Sequence, residues 1–352
     1  MRCLTLADFL RSEGAEVRFI TRPMPGSLET FVESKGYAAI RLQPLDELQV
    51  GAAGNDDYSA WLGVTQETDA IETLSAIADI PERPDWMVVD HYGLDCRWEE
   101  LLRPVVPGIL VIDDLANRTH DCDILLDANF THRAEARYAG RVPEQCRLLL
   151  GPGHALLRQE FRDLRARLRR TESGLGRILL FFGGIDRPNL TRRALAGVLA
   201  AVGEEVAVDV IAGGGNPHHT ELANICSGQP NVTYFRQIDN MAERMMSADL
   251  AIGAGGTTTW ERCALGLPSL VAALAENQEA IGEEVARYGV GRYLGRVDQI
   301  TTDKITEEVT RLMWEPHHLA LMGRNALALV DGRGVERVVA AMAACEAREV
   351  TA

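Results

Sequence analysis

The chain has no excess of basic charge, no paired cysteines and no long apolar run. Of its 352 residues 36 are Lys or Arg and 51 are Asp or Glu, a net charge of −15 at pH 7. That balance argues against nucleic acid or an anionic membrane as a partner. It leaves room for a small anionic ligand, because backbone amides at a helix start bind phosphate without a basic surface. The seven cysteines are odd in number, scattered and free of CxxC spacing, which fits reduced thiols rather than a disulfide framework. No HExxH and no Cys/His spacing supports zinc, and neither a metal nor another cofactor is expected. No apolar run approaches the roughly 20 residues of a membrane span, and no basic segment leading into an apolar one marks a signal peptide. A cytoplasmic protein is expected, and nothing in the sequence fixes its oligomeric state.

What is present is an alternation of strand and helix signals. With 46% hydrophobic and 25% charged residues the composition is that of an ordinary globular protein, and the length favours two domains. EVRFIT (16–21), AAIRLQ (38–43), DWMVVDHY (85–92), GILVIDD (108–114), ILLDANF (124–130) and RLLLGP (147–152) read as strands. SLETFVESKG (27–36) and residues 59–80 have helical periodicity, and the polar stretch DELQVGAAGNDD (46–57) reads as a loop. Near-continuous apolar runs between amphipathic helices indicate parallel strands buried on both faces.

A charged stretch at 158–176 follows, read as a linker with some helix. The pattern then restarts with RILLFFGG (177–184), VAVDVIAGGG (206–215), NVTYFRQ (231–237), DLAIGAGG (249–256), LPSLVAAL (267–274) and VGRYLG (290–295). The expected fold is α/β with two Rossmann-like domains, residues 1–157 and 177–332, and a C-terminal helical stretch, 333–352, that packs back on the first. Ligands of such sheets bind outside the carboxyl ends of the strands, so the chemistry is expected between the domains.

The chain opens inside an element. In MRCLTLADFLRSEGAEVRFITRP, the residues Cys3, Leu4, Leu6, Ala7, Phe9 and Leu10 recur at helical spacing, and Gly14 is a natural stop. A first helix of an α/β domain normally follows a strand and a Gly-rich loop. A strand of about 5–6 residues and a loop of roughly 4–6 are therefore expected upstream of Met1, with Met1 an internal residue of that motif.

Two Gly-rich turns carry the functional signal. FFGGIDRPN (181–189) is a strand, a Gly-Gly turn at Gly183–Gly184 and a Pro near a helix start, either a site where backbone amides approach a ligand or a plain tight turn. It contains no GxGxxG, so a dinucleotide fingerprint is not supported. IGAGGTTTWERCALGLPSL (252–270) is sharper: Gly253, Gly255 and Gly256 let the chain turn steeply, and Thr257, Thr258 and Thr259 bring amides and hydroxyls to a helix start suited to a diphosphate. Trp260, Ala264 and Leu265 would face the core. No Lys follows these glycines, which excludes a Walker A loop. Glu261 could accept two hydrogen bonds from a ribose diol or simply complement the helix dipole. Asn277, in AENQ, is either a helix cap or a polar group facing the ligand.

In the first half, His91 and Tyr92 follow Asp90 at a strand end, where they could contact substrate or merely end the strand. Asp113 and Asp114 end the next strand and could contact a sugar, cap the next segment or hold Mg²⁺.

Taken together, FFGGIDRPNLT, YFRQIDNMAERMMSADLAIGAGGTTTWERCALGLPSL, AENQ, VVDHYGLD, IDDLANRTHDCDILLD and GPGHALLRQEF resemble the UDP-2,4-diacetamido-2,4,6-trideoxy-β-L-altropyranose hydrolase family of pseudaminic acid biosynthesis. The likeness runs from Met1 to about residue 330. The second half is also similar to the nucleotide-binding domain of the lipid II-forming N-acetylglucosaminyltransferases, which have the GT-B fold. The resemblance implies a GT-B-like fold whose first N-terminal strand is missing here, a UDP-sugar ligand and no metal. It implies that Gln237 and Ile238 hold uracil through backbone groups, that Gly184, Gly255, Gly256 and Thr257 lie with the nucleotide, and that Glu261 holds the ribose. It places Asn277 near the sugar or the attacking water, with His91, Tyr92, Asp113, Asp114 and Arg158 as substrate contacts.

The family pattern G-x-G-H-x-x-R-C has a His taken as the catalytic base. Met1, Arg2 and Cys3 match only its tail, so Arg2 is the one polar member of that loop present. The implied reaction is inverting hydrolysis of the anomeric C–O bond, by general-base catalysis with leaving-group stabilisation, in nonulosonic acid synthesis for surface or flagellar glycans. A GT-B UDP-sugar transferase and a UDP-sugar-binding protein without turnover are the alternatives.

Overall fold

The computed structural model describes residues 1–24, 27–44, 58–129, 134–168 and 174–345. The loop expected at 46–57, Phe130 of ILLDANF, residues 169–173 of the charged stretch and the end of the terminal stretch beyond 345 lie outside the described residues. The chain divides into two compact units, Met1–Leu156 with Gly334–Ala352, and Leu157–Arg333.

The first unit opens with α1 (Arg2–Ser12), β1 (Arg18–Thr21), α2 (Glu29–Ser34) and β2 (Ala38–Arg41). It continues through α3 (Gln66–Ala78), β3 (Trp86–Val89), α4 (Cys96–Leu102), β4 (Gly108–Ile112), β5 (Ile124–Asp127), α5 (Ala134–Tyr138) and β6 (Arg147–Leu150). α1 ends as its sequence predicts. Gly14 takes φ +93°, its amide donates to Arg11 O at 3.1 Å and the Ala15 amide donates to Leu10 O at 3.0 Å. This is the hydrogen-bond pair that a left-handed residue after a helix makes possible. α3 is shorter than the helical signal at 59–80, because Tyr58–Trp61 form a separate 3₁₀ turn and the Thr65 hydroxyl caps the helix, accepting from the Thr68 amide at 3.2 Å.

β1 and β2 pair in parallel, Arg18 opposite Ala38. A second ladder runs β3-β4-β5-β6, parallel throughout. Among the described residues no strand links the two ladders. β4 shows why its sequence is continuously apolar. Ile109 and Val111 pack with Ala70, Ile77, Trp98 and Leu102 of α3 and α4, while Leu110 and Ile112 pack with Leu6 of α1. Val335, Val338, Ala341 and Met342 join that second face. They belong to the C-terminal helix Gly334–Ala343, which is thus part of the first unit's core.

The second unit contains α6 (Gln159–Arg167), β7 (Arg177–Phe181), α7 (Leu190–Ala201), β8 (Ala207–Ala212), α8 (His219–Ser227), β9 (Val232–Arg236) and α9 (Met241–Ser247). β10 (Leu250–Ala254), α10 (Thr258–Ala264), β11 (Ser269–Ala273), α11 (Glu279–Arg287), β12 (Gly291–Arg296), α12 (Thr302–Met313) and α13 (Pro316–Leu329) complete it. Its six strands form one parallel sheet in the order β12-β11-β10-β7-β8-β9. That is the doubly wound order of a Rossmann fold. The stretch read as a linker supplies α6, which Arg165 ties into this unit by donating to the Ala264 carbonyl at 2.7 Å and the Leu327 carbonyl at 2.8 Å. Among the described residues no helix is long and apolar enough to cross a membrane.

Leu6 is 1% exposed on the sheet and Ile71 of α3 is 64% exposed. Leu6→Ala should therefore lower unfolding stability by about 2–5 kcal/mol, and Ile71→Ala by less than about 0.5 kcal/mol. Urea denaturation of the two variants reads the difference, and equal losses would contradict this packing.

Candidate functional site

In the second unit the chain adds β8 and β9 on one side of β7, then returns to lay β10 on the other. β7 and β10 pair directly, Phe181 opposite Gly253. Both glycine turns singled out in the sequence leave from this pair, Gly183–Gly184 after β7 and Gly255–Gly256 after β10. The carboxyl edge at such a reversal is where open α/β sheets bind ligands.

The loops around that edge are held by backbone-on-backbone contact. Gly183 takes φ +94°, and a Cβ on Gly213 would lie 2.5 Å from both Cα and O of Gly184. Only glycine lets the turns after β7 and β8 touch in this way. Asp186 fixes the first turn to α7. Its buried carboxylate accepts from the Leu190 amide at 2.9 Å, and from the Thr191 amide at 2.8 Å and hydroxyl at 2.7 Å. Gln237, beyond β9, holds a left-handed backbone at φ +50°, with its amide on the Ala212 carbonyl at 3.0 Å. A non-glycine residue keeps that conformation only where its surroundings hold it. Its side chain lies against Gly214, where a Cβ would come within 2.5 Å of Gln237 Oε1. The next residue, Ile238, is half-buried.

After β10, Gly255 is enclosed, its Cβ position 3.1 Å from the Gln278 carbonyl, whereas Gly256 opens onto free space within 4 Å. Thr257 is exposed at the start of α10, where the Thr259 and Trp260 amides donate to the Gly256 and Thr257 carbonyls at 2.8 and 3.0 Å. α10 is only seven residues long, so few peptide dipoles add up behind these amides. Glu261, one turn in, is largely buried, and its Oε1 faces Arg158 Nη2 at 3.4 Å. Burial pushes its carboxyl up from the ordinary value, and Arg158 pulls the other way. Arg158 also bridges Glu160 at 2.8 Å and covers the Phe161 ring at 5.1 Å. Asn277 lies exposed in the 3₁₀ turn Glu276–Gln278 and caps nothing. The residue ahead of α11 is Gln278, whose side chain turns back to accept from the Leu274 amide at 3.0 Å.

The first unit gathers a second polar cluster at the carboxyl ends of β3, β4 and β5. Arg2 grips Asp90 with two arms, Nη2 to Oδ1 at 2.6 Å and Nε to Oδ2 at 3.0 Å, and its Nη1 stands 3.8 Å from Asp114. Asp114 also accepts from the Tyr92 hydroxyl and from Asn129 Nδ2, each at 2.7 Å. Burial works against the charge of Asp90, but the hydrogen bonds and positive charge of Arg2 outweigh it and hold this carboxyl below its ordinary range. Burial pushes the Tyr92 hydroxyl and the Cys3 thiol up, and the neighbouring carboxylates add to the effect.

His91 is not part of this cluster. Its Nδ1 accepts from the Gly93 amide at 2.9 Å, the ring also bonds the Trp61 backbone, and burial lowers its pKa from the ordinary value. Asp113 separates from Asp114. It is fully buried, accepts from the Ala116 amide at 2.9 Å and pairs with Arg118 at 2.8 Å. The two neighbouring acids thus differ in their partners, Asp113 in the turn with Ala116 and Arg118 and Asp114 with Tyr92, Asn129 and Arg2. Tyr58, Trp61 and Tyr92 pack ring to ring beside them, with centroids 4.9 to 6.2 Å apart.

Sequence reasoning missed Asn129, Asp186 and Arg262. The first two sit at strand-end turns, as the other site residues do, and that position was the available signal. Arg262 lies in an apolar helix run between Trp260 and Ala264, where a charged residue reads as the solvent side.

Residues 178–338 match the family model described as glycosyltransferase family 28 C-terminal domain. The spore coat polysaccharide biosynthesis protein SpsG of Bacillus subtilis is 27% identical over 201 residues, 56% of this chain and 59% of that protein. The chain therefore spans little more than half the length of that relative. The UDP-2,4-diacetamido-2,4,6-trideoxy-beta-L-altropyranose hydrolase of Campylobacter jejuni is 24% identical over 209 residues, 59% of this chain and 73% of that one. The solved structure of Acinetobacter baumannii MurG superposes with a TM-score of 0.66 at 16% identity, covering 97% of this chain and 95% of that chain. The fold is GT-B-like: α/β, with two Rossmann-like units.

Asp127, beside Asp114, has its carboxyl pushed up to about 6, first by burial and then by that neighbour, against the Asn129, Tyr138 and Arg137 contacts. An unfolded Asp titrates near 4. The stability this raised pKa contributes is complete below about pH 4 and lost as pH rises through about 6. Asp127→Asn should flatten that fall, which amounts to about 2–3 kcal/mol. Urea midpoints at pH 4, 5, 6 and 7 check it, and an unchanged slope would count against the buried carboxyl as its source.

Proposed function

We propose that this chain binds a UDP-linked sugar and hydrolyses its anomeric C–O bond, giving UDP and the free sugar. The observation that carries the reading is the glycine-built edge of β7 and β10, where the Gly255 amide is held by the Ala272 carbonyl at 2.9 Å while Gly184, Gly256 and Thr257 lie at the surface of the turns. There the amides would receive the diphosphate, Glu261 the ribose diol, and the left-handed turn at Gln237 and Ile238 the uracil edge. The match of residues 178–338 to a glycosyltransferase C-terminal domain supports a nucleotide-sugar ligand. The similarity to the Campylobacter jejuni hydrolase supports a diacetamido-trideoxy sugar, and with it a cytoplasmic step of pseudaminic acid biosynthesis.

The first unit suits the sugar half. Asp114, Tyr92, Asn129 and Arg2 offer acceptors and donors for hydroxyl and acetamido groups, and in the second unit Arg158 stands beside Glu261 at 3.4 Å. In the reaction, water attacks C1 on the face opposite the diphosphate. The C1–O bond breaks with its electron pair passing to UDP, and the water gives up a proton to a base. Preformed amides at the developing negative charge lower the barrier, because they need no reorganisation as the diphosphate departs. Asn277, with its exposed amide, is the residue assigned to orient the water.

Transfer to an acceptor is the second reading, favoured by the family 28 match itself. Incubation with the UDP-sugar, following UDP and free sugar, separates the two. UDP and sugar in equal amounts mean hydrolysis; UDP appearing only with an added acceptor means transfer; binding with no UDP means neither. Glu261→Ala should weaken UDP binding at least about tenfold, the usual scale for a hydrogen bond to a charged group, and calorimetric titration checks it. Unchanged affinity would remove Glu261 from the site.

A further inference from the structure

The strongest unexplained group in the molecule is the guanidinium of Arg262. Its residue is 1% exposed, among the largest fully buried side chains of the chain. Nη2 donates to the Ala254 carbonyl at 3.0 Å and to the Thr259 hydroxyl at 2.9 Å. Nε is buried without a hydrogen-bond partner. Nη1 lies 2.5 Å from where a Cβ on Gly253 would sit, so the guanidinium fills the space that this glycine leaves. Among the described residues no carboxylate forms an ion pair with it. Burial lowers its pKa to about 10, which still leaves it a cation at neutral pH.

A buried charge normally has a partner of opposite sign, since taking an ion out of water costs several kcal/mol that only a good counter-charge offsets. Here the acceptors are a carbonyl and a hydroxyl, both uncharged. The positive charge stands directly behind Gly253 and Ala254, the last residues of β10, and one residue ahead of the Gly255–Gly256–Thr257 turn. The nearest acid, Glu261, acts on it through space without an ion pair and is itself bridged by Arg158 at 3.4 Å.

We propose that Arg262 is a positioning residue for the diphosphate of a nucleoside diphosphate ligand: a buried cation behind the glycine turn whose missing counter-charge is the ligand itself. The inference rests on the UDP-sugar reading above and adds the source of its anion selectivity. The cation acts in two ways. It holds the Ala254 carbonyl and the Thr259 side chain, which sets the turn, and it adds a positive field that low-dielectric surroundings screen only weakly. The ligand's uncharged parts gain nothing from that field, so the effect belongs to the phosphates alone.

The test compares UDP with uridine by calorimetric titration on the full chain. Arg262→Met should weaken UDP binding at least about tenfold and uridine binding by less than about twofold, the size expected for one charge some 7 Å from an anion at an effective dielectric near 20. A variant that loses affinity for both ligands equally, or for neither, would show that Arg262 only braces the fold and would overturn the proposal. Should R262M fail to fold, Arg262→Gln keeps an amide donor for the Ala254 carbonyl without the charge and must show the same split. The wild-type chain gives a further reading: inorganic pyrophosphate should raise its Tm and compete with UDP, and the absence of both effects would overturn the proposal. Wild-type protein that binds neither UDP nor uridine would defeat the nucleotide reading itself. Wild-type protein that binds uridine as tightly as UDP would defeat only the role given to Arg262.

Discussion

A parallel sheet that grows in both directions from a central pair has one place where neighbouring strands send their chains to opposite sides. In the second unit that place is the carboxyl end of β7 and β10, and the rest of the unit is arranged around it. The turns must be glycine-rich because backbone meets backbone there, as at Gly184 and Gly213. Asp186 and Gln237 then stiffen the turns that the glycines loosen, one by capping a helix and the other by holding a strained backbone. The turns end up fixed by backbone bonds, the Gly255 amide on the Ala272 carbonyl and the Gln237 amide on the Ala212 carbonyl, in a chain whose net charge is −15.

The two units solve their electrostatics differently. In the first, each charged group at the strand ends already has a partner: Arg2 with Asp90, Asp113 with Arg118, Asp114 with Tyr92 and Asn129. Such a surface exchanges hydrogen bonds with a neutral, polar molecule at little cost, since pairs can open towards it without stranding a charge. In the second, Glu261 is bridged by Arg158, and among the described residues Arg262 forms no ion pair, Glu261 acting on it only through space. An imbalance of one buried charge favours a ligand of the opposite sign.

The strands were legible because parallel strands covered on both faces leave continuous apolar runs, as in GILVIDD and DLAIGAGG, and their polar ends mark the binding edge. Helix limits were less so. The signal at 59–80 merged a 3₁₀ turn with α3, since Thr65 as a cap is a single residue inside an otherwise periodic run. Asp113 and Asp114 could not be told apart in sequence, yet the first turns inward to the Ala116 amide and Arg118 and the second meets Tyr92 and Asn129. His91 reads in sequence as cleft-facing or as a strand-end polar residue, and its ring accepts from the Gly93 amide. Asn277 reads as a helix cap before it reads as a ligand-facing amide, and the residue ahead of α11 is Gln278. Arg262 was hidden by the habit of reading charge as exposure, which fails where charge is retained in a core.

The helix Gly334–Ala343 completes the first unit's core only after the whole second unit has been threaded through the sequence between them. During synthesis, residues 157–333 emerge as one uninterrupted block and can reach their final packing as soon as they leave the ribosome. The first unit, although made earlier, has Leu6 and its helix against Leu110, Ile112 and Leu126 but completes that cluster only when Val335 and Val338 arrive. Domains generally fold as units during translation, so order of birth and order of maturation are inverted in this chain. The half that carries the Arg2, Asp90 and Asp114 cluster is the last to become solid.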